Sequence, residues 1–207
     1  MASKAMARTP GLSTLMGAPV VHGRAVDWQP GDVLAGWGRR TPSERLAAEA
    51  SRARLPFVRL EDGFLRSVGL GHQDAPLSIV VDPVGIYYDA GAPSRLEDLI
   101  RDHPLDAADE MRCHHIVQRW RESGVSKYNA ARNCPTAQLP DDFVLVADQT
   151  WGDASIHFGQ ANARSFEEML HAALDEYPQS TVLLKIHPDV LHGRKRGHYD
   201  WRAWSRH

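Results

Sequence analysis

Residue types that can carry chemistry cluster where short apolar runs of this 207-residue sequence end. In residues 148–155, Asp148 and Asp153 stand with the amide of Gln149 and two hydroxyls, directly after the apolar run 143–147. A carboxylate in such a place can act as a nucleophile, and a helix start would suit a phosphate or a substrate carboxylate. Asp148 is better placed for function than Asp153, for which a structural helix cap is the alternative interpretation.

A second group, residues 61–67, holds Glu61, Asp62 and Arg66 around a glycine. Because adjacent residues on extended backbone point to opposite sides, we expect at most one of the two carboxylates to face a cleft. The other would then brace the loop. The alternative is an ordinary acidic turn that forms a salt bridge with Arg59 or Arg66.

A third group combines Lys185 and His187 at the end of an apolar run with the basic residues 194–196. Together these side chains favour an anion site, for example for a nucleotide phosphate that leaves with negative charge. The alternatives are a structural histidine before Pro188 and a basic run that is merely solvated or that touches acidic lipid head groups.

Apolar runs alternate with capped helical patterns along the chain. We predict strands at 32–35, 56–60, 77–81, 86–88, 143–147 and 181–186, and helices at 41–54, 106–122 and after Ser94 and Ser165. The helix at 106–122 should turn Met111, His115 and Val117 inward. Buried strands alternating with helices predict an α/β fold with parallel sheets, in which ligands lie beyond the carboxyl ends of the strands.

The composition excludes several classes of protein. A formal net charge of −2 argues against a protein that binds nucleic acid by bulk charge. No run of about 18 apolar residues could span a membrane, and we interpret residues 1–23 as an uncleaved, partly ordered leader. Cys113 and Cys134 fit free thiols in a reducing cytoplasm, and we find no metal-binding spacing and no dinucleotide fingerprint.

Eight ordered blocks resemble the bacterial capsule polysaccharide biosynthesis family, specifically its β-Kdo transferases. The blocks are residues 36–39, 59–71, 76–82, 85–89, 93–97, 126–129, 148–155 and 185–189. The resemblance covers about residues 32–197 and implies two Rossmann-like lobes in a GT-B-like arrangement. We expect the first lobe at 24–132, a boundary within 133–140, and an incomplete second lobe at 141–207.

The resemblance implies retaining transfer of Kdo from CMP-Kdo to a lipid-linked acceptor such as phosphatidylglycerol or its oligo-Kdo derivative, without a further cofactor or a metal. It assigns the nucleophile to Asp148 in preference to Asp153, and the acid/base role to Glu61. Further substrate-binding candidates are Arg66 on the Kdo carboxylate, Lys185 and His187 on the departing phosphate, and Gln149.

The chain also departs from the family pattern. It ends soon after His187, and we can place no family counterpart for residues 198–207. We therefore expect a truncated module, with a non-catalytic fragment that binds the acceptor lipid or a capsule-assembly protein as the alternative. An unrelated Asp/His hydrolase is the third hypothesis. The expected location is the cytoplasm, with peripheral contact at the inner membrane left open.

Overall fold

The computed structural model describes residues 1–24, 28–71, 74–130 and 139–204. The chain divides into two compact units, Met1–Arg132 and Asn133–His207, and each is described by itself below. The boundary expected within 133–140 falls mostly on residues 131–138, which lie outside the described residues. Within the described residues, no helix is both long enough and apolar enough to cross a bilayer.

The first unit contains five helices and three strands among its described residues. They are α1 (Lys4–Ala7), α2 (Leu12–Met16), β1 (Leu34–Trp37), α3 (Thr41–Ala53), β2 (Phe57–Asp62), β3 (Ile79–Asp82), α4 (Arg95–Asp102) and α5 (Ala107–Ser123). The sheet order is β1-β2-β3. β1 and β2 are parallel, with Leu34 opposite Phe57, and β3 runs antiparallel to β2, with Asp62 opposite Ile79.

Strand β3 is antiparallel to its neighbour in a sheet whose other pair is parallel. A parallel connection requires a crossover, usually through a helix, and the described residues between β2 and β3 contain none. The chain therefore turns back directly and adds β3 at the edge of the sheet.

The core of the first unit includes the segment that we interpret above as a leader. Ala2, Met6 and Leu12 are buried together with Ala35 and Leu60. The amide of Ala35 donates to the Met1 carbonyl at 2.8 Å, so the start of the chain lies against β1. This segment is part of the folded unit because its apolar residues supply core that the short strands lack.

Residues 86–88 do not form the predicted strand. Ile86 is buried, but the Asp89 amide closes a turn onto the Ile86 carbonyl at 3.0 Å. Asp82 fixes the approach to this turn, because its Oδ1 accepts from the Val84 and Gly85 amides at 2.8 Å each. Those amides are satisfied by a carboxylate rather than by a neighbouring strand.

The long helix α5 forms where it is predicted, between an Asp106 capping box and Gly124. The expectation that Met111, His115 and Val117 point inward is wrong, since all three are exposed and α5 buries none of its residues. Met111 and Val117 are six positions apart, which places them on different faces of a helix with 3.6 residues per turn.

The second unit contains two strands and four helices among its described residues. They are β4 (Phe143–Ala147), α6 (Ala154–Phe158), α7 (Ala163–Glu176), β5 (Thr181–Lys185), α8 (Pro188–Leu191) and α9 (Trp201–Trp204). β4 and β5 are parallel and in register from Phe143 opposite Thr181 to Ala147 opposite Lys185. Asp148 and Ile186 therefore leave the sheet side by side.

The core of the second unit is small. Val146, Leu170 and Ala173 are buried, with Val144, Val182, Leu184 and Tyr199 packed against them. Helix α7 begins at Ala163 with Asn162 as its N-cap, so the predicted cap, Ser165, is instead the third helical residue. Ser165 still contributes, because its hydroxyl accepts from the Asn162 amide at 3.2 Å and completes a capping box.

Candidate functional site

Glu61, at the carboxyl end of β2, lies in a confined polar setting. Its Oε1 accepts from the Asp62 amide at 3.0 Å, and the Trp37 side chain also donates to it. A Cβ atom on Gly38 would stand 3.3 Å from Glu61 Oε2 and 3.0 Å from the Tyr88 hydroxyl, so glycine is what allows these groups to approach. Burial, and secondarily the Asp62 charge, raises the pKa of Glu61, as suits an acid/base group.

Asp62 is the member of the pair that braces the loop. Its Oδ1 accepts from Arg66 Nε at 2.8 Å, and Arg66 is buried. Arg66 Nη1 donates to Ser67 Oγ at 3.0 Å and to the Asp74 carbonyl, while Nη2 donates to the Gly71 carbonyl at 3.1 Å. These contacts occupy the donors with which Arg66 would bind a substrate carboxylate, so the structure gives it a structural role.

The loop after β1 is held next to Glu61 by an ion-pair network. Arg59 Nη1 lies 2.8 Å from Glu44 Oε1 and donates to the Gly38 carbonyl at 3.1 Å. Arg39 pairs with the same Glu44 carboxylate at 3.2 Å and with Asp89. The network fixes the backbone on which Trp37 and Gly38 approach Glu61.

Asp148, at the carboxyl end of β4, has two very different oxygens. Oδ1 accepts from the Gln149 amide at 2.8 Å and from the His198 amide at 3.2 Å, and it lies 3.1 Å from His198 Nδ1. Oδ2 is buried and accepts no hydrogen bond from the described residues. The whole side chain is 0% exposed.

His198 is packed between two aromatic rings. Its ring is stacked 3.8 Å from that of Phe166 and 5.2 Å from that of Trp151. Nδ1 also lies 3.0 Å from the Gln149 carbonyl, and since both of its neighbours are acceptors, Nδ1 must carry the proton. The Arg196 guanidinium covers Trp151 at 4.3 Å from the ring centroid, and the Trp151 amide donates to the Arg196 carbonyl at 2.7 Å.

Reasoning from the sequence missed these partners of Asp148. His198 is 50 positions from Asp148, and residues 198–207 matched nothing that we could place. Two signals were present: the tryptophan at 151, inside the block that contains Asp148, and the histidine that follows Gly197. Neither signal by itself predicts a contact.

Asp153 and Gln149 make local contacts. Asp153 is the N-cap of α6, since its Oδ1 accepts from the Ser155 amide at 3.0 Å and from the Ser155 hydroxyl at 2.7 Å. Gln149 Oε1 accepts from the Thr150 amide at 2.7 Å. Of the two aspartates, Asp148 is the one that has a buried carboxylate oxygen without a hydrogen bond from the described residues, whereas Asp153 uses its Oδ1 to cap α6.

His187 caps the short helix α8, where its Nδ1 accepts from the Asp189 amide at 3.1 Å. Burial, with a contribution from the Lys195 charge, lowers the pKa of His187 despite the opposing charges of Asp189, Asp153 and Asp148. The neutral ring with Nδ1 as acceptor carries its proton on Nε2, so His187 offers a hydrogen bond rather than a positive charge. Lys185 is exposed, and its carbonyl accepts from the Asp148 amide at 2.9 Å.

The structure thus brings Asp148, Gln149, Lys185 and His187 together at the ends of two adjacent parallel strands. Glu61 and Arg66 belong to the other unit. In the part of the chain that the structure describes, no three His, Cys, Asp or Glu side chains are grouped so that they could hold a metal ion.

Fold and site define an α/β protein whose candidate groups follow the carboxyl ends of parallel strands. The chain belongs to the family described as capsule polysaccharide biosynthesis protein, which it matches over residues 32–118 and 103–202. The family resemblance inferred from the eight blocks is confirmed. The match reaches residue 202, so the expectation that residues 198–207 lack a family counterpart is wrong for the first half of that segment.

Two named proteins are similar in sequence to the chain. The chain is 41% identical over 213 residues to the capsule polysaccharide modification protein LipA of Neisseria meningitidis serogroup B, covering 95% of this chain and 28% of LipA. It is 38% identical over 156 residues to the lipopolysaccharide-processing protein LpsZ of Rhizobium meliloti, covering 71% of this chain and 35% of LpsZ. The chain therefore spans about a third or less of these relatives.

Two solved structures are similar to the chain. The β-Kdo 2,4 transferase of Thermosulfurimonas dismutans KpsC is 39% identical, with a TM-score of 0.85, over 95% of this chain and 62% of that chain. The β-Kdo 2,7 transferase of the same KpsC is 30% identical, with a TM-score of 0.55, over 78% of this chain and 49% of that one. The predicted α/β class with parallel sheets is confirmed, while the GT-B-like arrangement of lobes stays a prediction.

Proposed function

We propose that this chain carries out, or contributes to, retaining transfer of Kdo from CMP-Kdo to a lipid-linked glycan acceptor. The observation that carries the proposal is the likeness to a β-Kdo 2,4 transferase over 95% of the chain at 39% identity. A lipid-linked acceptor would bring the protein to a membrane surface, and the capsule-assembly proteins expected there remain candidate partners.

The chemistry assigned to Asp148 is nucleophilic. Its Oδ2 attacks the anomeric carbon of Kdo while the bond from that carbon to the CMP phosphate oxygen breaks, and CMP leaves with the electron pair. The acceptor hydroxyl oxygen then attacks the same carbon, the bond to Asp148 breaks, and the carboxylate is restored. Two inversions give overall retention.

Glu61 is proposed as the base that takes the proton of the acceptor hydroxyl. Burial raises the pKa of Glu61, so its carboxylate binds a proton more readily than that of an ordinary exposed glutamate. Positioned acid/base groups contribute about 10²–10⁴-fold to rate.

Anion recognition is assigned to the end of β5. Exposed Lys185 supplies positive charge, and neutral His187 supplies an Nε2–H donor, so the CMP phosphate would meet both as it departs. Gln149 stays a candidate for substrate contact. We assign no step of the reaction to Asp153, because it caps α6. We assign none to Arg66, because its guanidinium donates to the Asp74 carbonyl.

A second candidate function is ligand binding without transfer. The burial of Asp148 favours it, since a carboxylate that is 0% exposed cannot reach a sugar carbon in the conformation described. In that case the chain would bind an acceptor lipid or a capsule-assembly partner as part of a larger assembly.

Incubation of the purified chain with CMP-Kdo tests the proposal, with binding followed by calorimetry and covalent adducts by intact-protein mass spectrometry. We expect a Kdo adduct on the unaltered chain, none on Asp148→Ala, and accumulation of adduct on Glu61→Gln when acceptor is present. Asp175→Ala, an exposed aspartate on α7, is the matched control and should behave like the unaltered chain.

Each outcome separates the candidates. An adduct on Asp148→Ala at the normal level would remove the nucleophile assignment. Binding of donor or acceptor without any adduct would favour the binding function, and the absence of both binding and adduct would contradict the proposal for this chain.

A further inference from the structure

Residues 196–199, here called the cover, close over Asp148 in the second unit. We propose that the cover opens locally, as a unit, and that this opening controls access to the Asp148 carboxylate. The catalytic meaning of the opening rests on the function proposed above, but the opening itself can be measured without any activity.

The closed cover blocks access to Asp148 sterically. A Cβ atom on Gly197 would lie 2.4 Å from Asp148 Oδ2 and 3.0 Å from Val190 Cγ1, so the Gly197 backbone stands directly against the oxygen that would form the glycosyl bond. With the side chain 0% exposed, no substrate carbon can come within bonding distance of Oδ2 while the cover is closed. A reaction at Asp148 therefore requires the cover to move.

The closed cover also leaves a buried carboxylate oxygen without a hydrogen bond. A carboxylate oxygen that is buried without a hydrogen-bond partner is unfavourable, because water would otherwise solvate it. Opening the cover returns Oδ2 to water and removes this penalty, so the closed form is destabilised at the atom that it hides. Native structures satisfy most buried polar atoms, and the exceptions call for an explanation.

A defined set of contacts opposes opening of the cover. His198 holds Oδ1 through its amide and Nδ1, at 3.2 and 3.1 Å, and its ring lies between those of Phe166 and Trp151. The Arg196 carbonyl accepts from the Trp151 amide, and the Arg196 guanidinium lies over the Trp151 ring. Tyr199 also holds the cover, since its hydroxyl donates to the Phe166 carbonyl and its side chain packs against the core of the second unit. His198 is the residue of the cover that bonds directly to the Asp148 carboxylate.

The backbone next to the cover can act as a hinge. Gly193 has a φ of 69°, a conformation that favours glycine, and Gly197 has no side chain to obstruct rotation. The side chains of Arg194 and Lys195, in the segment between them, lie 3.6 and 3.9 Å from the Asp189 carboxylate, while their amides donate to the Asp189 carbonyl at 2.8 and 3.1 Å. A closed cover would also exclude water from a glycosyl adduct on Asp148, which is a recognised use of such elements.

Carboxyl labelling with a water-soluble carbodiimide and an amine tests the proposal. Labelled peptides are quantified by mass spectrometry at several urea concentrations below the unfolding transition. For the unaltered chain we expect Asp148 to react slowly and at a rate nearly independent of urea, as local opening requires. A rate that follows global unfolding, with the same urea dependence, would overturn the proposal.

Two variants and one control sharpen the test. His198→Leu removes the Nδ1 donor and should raise the labelling rate of Asp148 about tenfold, the equivalent of one or two lost hydrogen bonds. Gly197→Ala should also raise it, because its methyl group cannot fit beside Oδ2. His192→Leu alters an exposed histidine of the same unit and should leave the rate unchanged. Equal protection of Asp148 in His198→Leu and the unaltered chain would contradict the proposal.

Amide hydrogen exchange measures opening of the cover in the unaltered chain, so this measurement does not depend on whether a variant folds. The amides of His198 and Trp151 should exchange together and faster than those of β4, because both are bonded within the closed cover. Exchange of these amides only through global unfolding would overturn the proposal. If the cover opens but no Kdo adduct forms, the proposed function is contradicted and the proposed opening is supported. If an adduct forms although the cover never opens, the proposed function is supported and the proposed opening is contradicted.

Discussion

Glu61 and Asp62 show how two neighbouring carboxylates acquire different chemistry. Strand alternation points them to opposite sides, so Asp62 meets the Arg66 guanidinium at 2.8 Å while Glu61 is enclosed near Trp37 and Gly38. Asp62 is engaged in an ion pair with the guanidinium, and burial raises the pKa of Glu61. The proton-exchanging member of the pair is therefore chosen by environment.

Arg66 provides a prediction at the scale of one residue. Arg66→Leu should lower the free energy of unfolding of the first unit by about 3 kcal/mol or more, because it leaves Asp62 and two carbonyls without their buried donor. Arg66→Lys should restore little of the loss, since one ammonium group cannot reach these separate acceptors. Urea unfolding followed by circular dichroism measures both.

The matched control is Arg101→Leu. Arg101 also meets two carboxylates, Asp98 and Asp102, but its side chain is 59% exposed, so its loss should change stability little. Similar effects of the Arg66 and Arg101 variants would contradict the structural role given to Arg66.

The sequence predicts candidate residues well where they follow strands. Asp148 and Glu61 were found because polar residues after apolar runs lie at sheet ends. The engagement of Arg66 with Gly71 and Asp74 and the contact of His198 with Asp148 depend on how loops fold back, which no local pattern encodes. Those are the points at which the expected roles and the structure differ.

At the scale of elements, the N-terminal helices are the main revision. Leu12, in α2, is 1% exposed and belongs to the same core as Leu60. Leu12→Ala should cost about 2–5 kcal/mol, the range for a truncated buried leucine. If this segment packed against nothing, Leu12→Ala would leave the free energy of unfolding almost unchanged.

Chemical unfolding of Leu12→Ala beside Leu15→Ala measures this difference. Leu15 lies in the same short helix and is only partly buried, so its truncation should cost less. An equal and negligible effect of both changes would remove α2 from the core.

The limits of element prediction have identifiable causes. The strands from 143 and 181 were predicted almost to the residue because continuous β-branched and leucine runs have few alternatives. Residues 86–88, Ile-Tyr-Tyr, also favour a strand, yet the Asp82 carboxylate accepts from the amides of Val84 and Gly85 just before them and imposes a turn. For α7, the pattern Ser165 to Glu168 imitates a capping box three residues after the real one.

At the scale of the whole molecule, a change of pH shifts the stability of the two units in opposite directions. The folded pKa of Glu61 is raised, so its contribution to the stability of the first unit is present below about pH 4.5 and is lost as pH rises through the folded pKa. The folded pKa of His187 is lowered, so its contribution to the second unit is present above about pH 6.5 and is lost as pH falls through the folded pKa.

Hydrogen exchange across a pH series, corrected for intrinsic exchange rates, tests this opposition. Between pH 4.5 and 7 the Glu61 contribution should weaken protection of β2, and the His187 contribution should strengthen protection of β5. Glu61→Gln should remove the first trend and His187→Gln the second, each without changing the other unit's trend. Loss of both trends in one variant would contradict the assignment.

The stack of Phe166, His198 and Trp151 has an optical consequence. Aromatic rings held in fixed asymmetric packing give near-ultraviolet circular dichroism, and the signal disappears when that packing is lost. Opening of residues 196–199 separates Trp151 from both the imidazole ring and the Arg196 guanidinium. The indole at 151 is therefore a built-in spectroscopic probe, through which the exposure of Asp148 can be followed in real time without any added label.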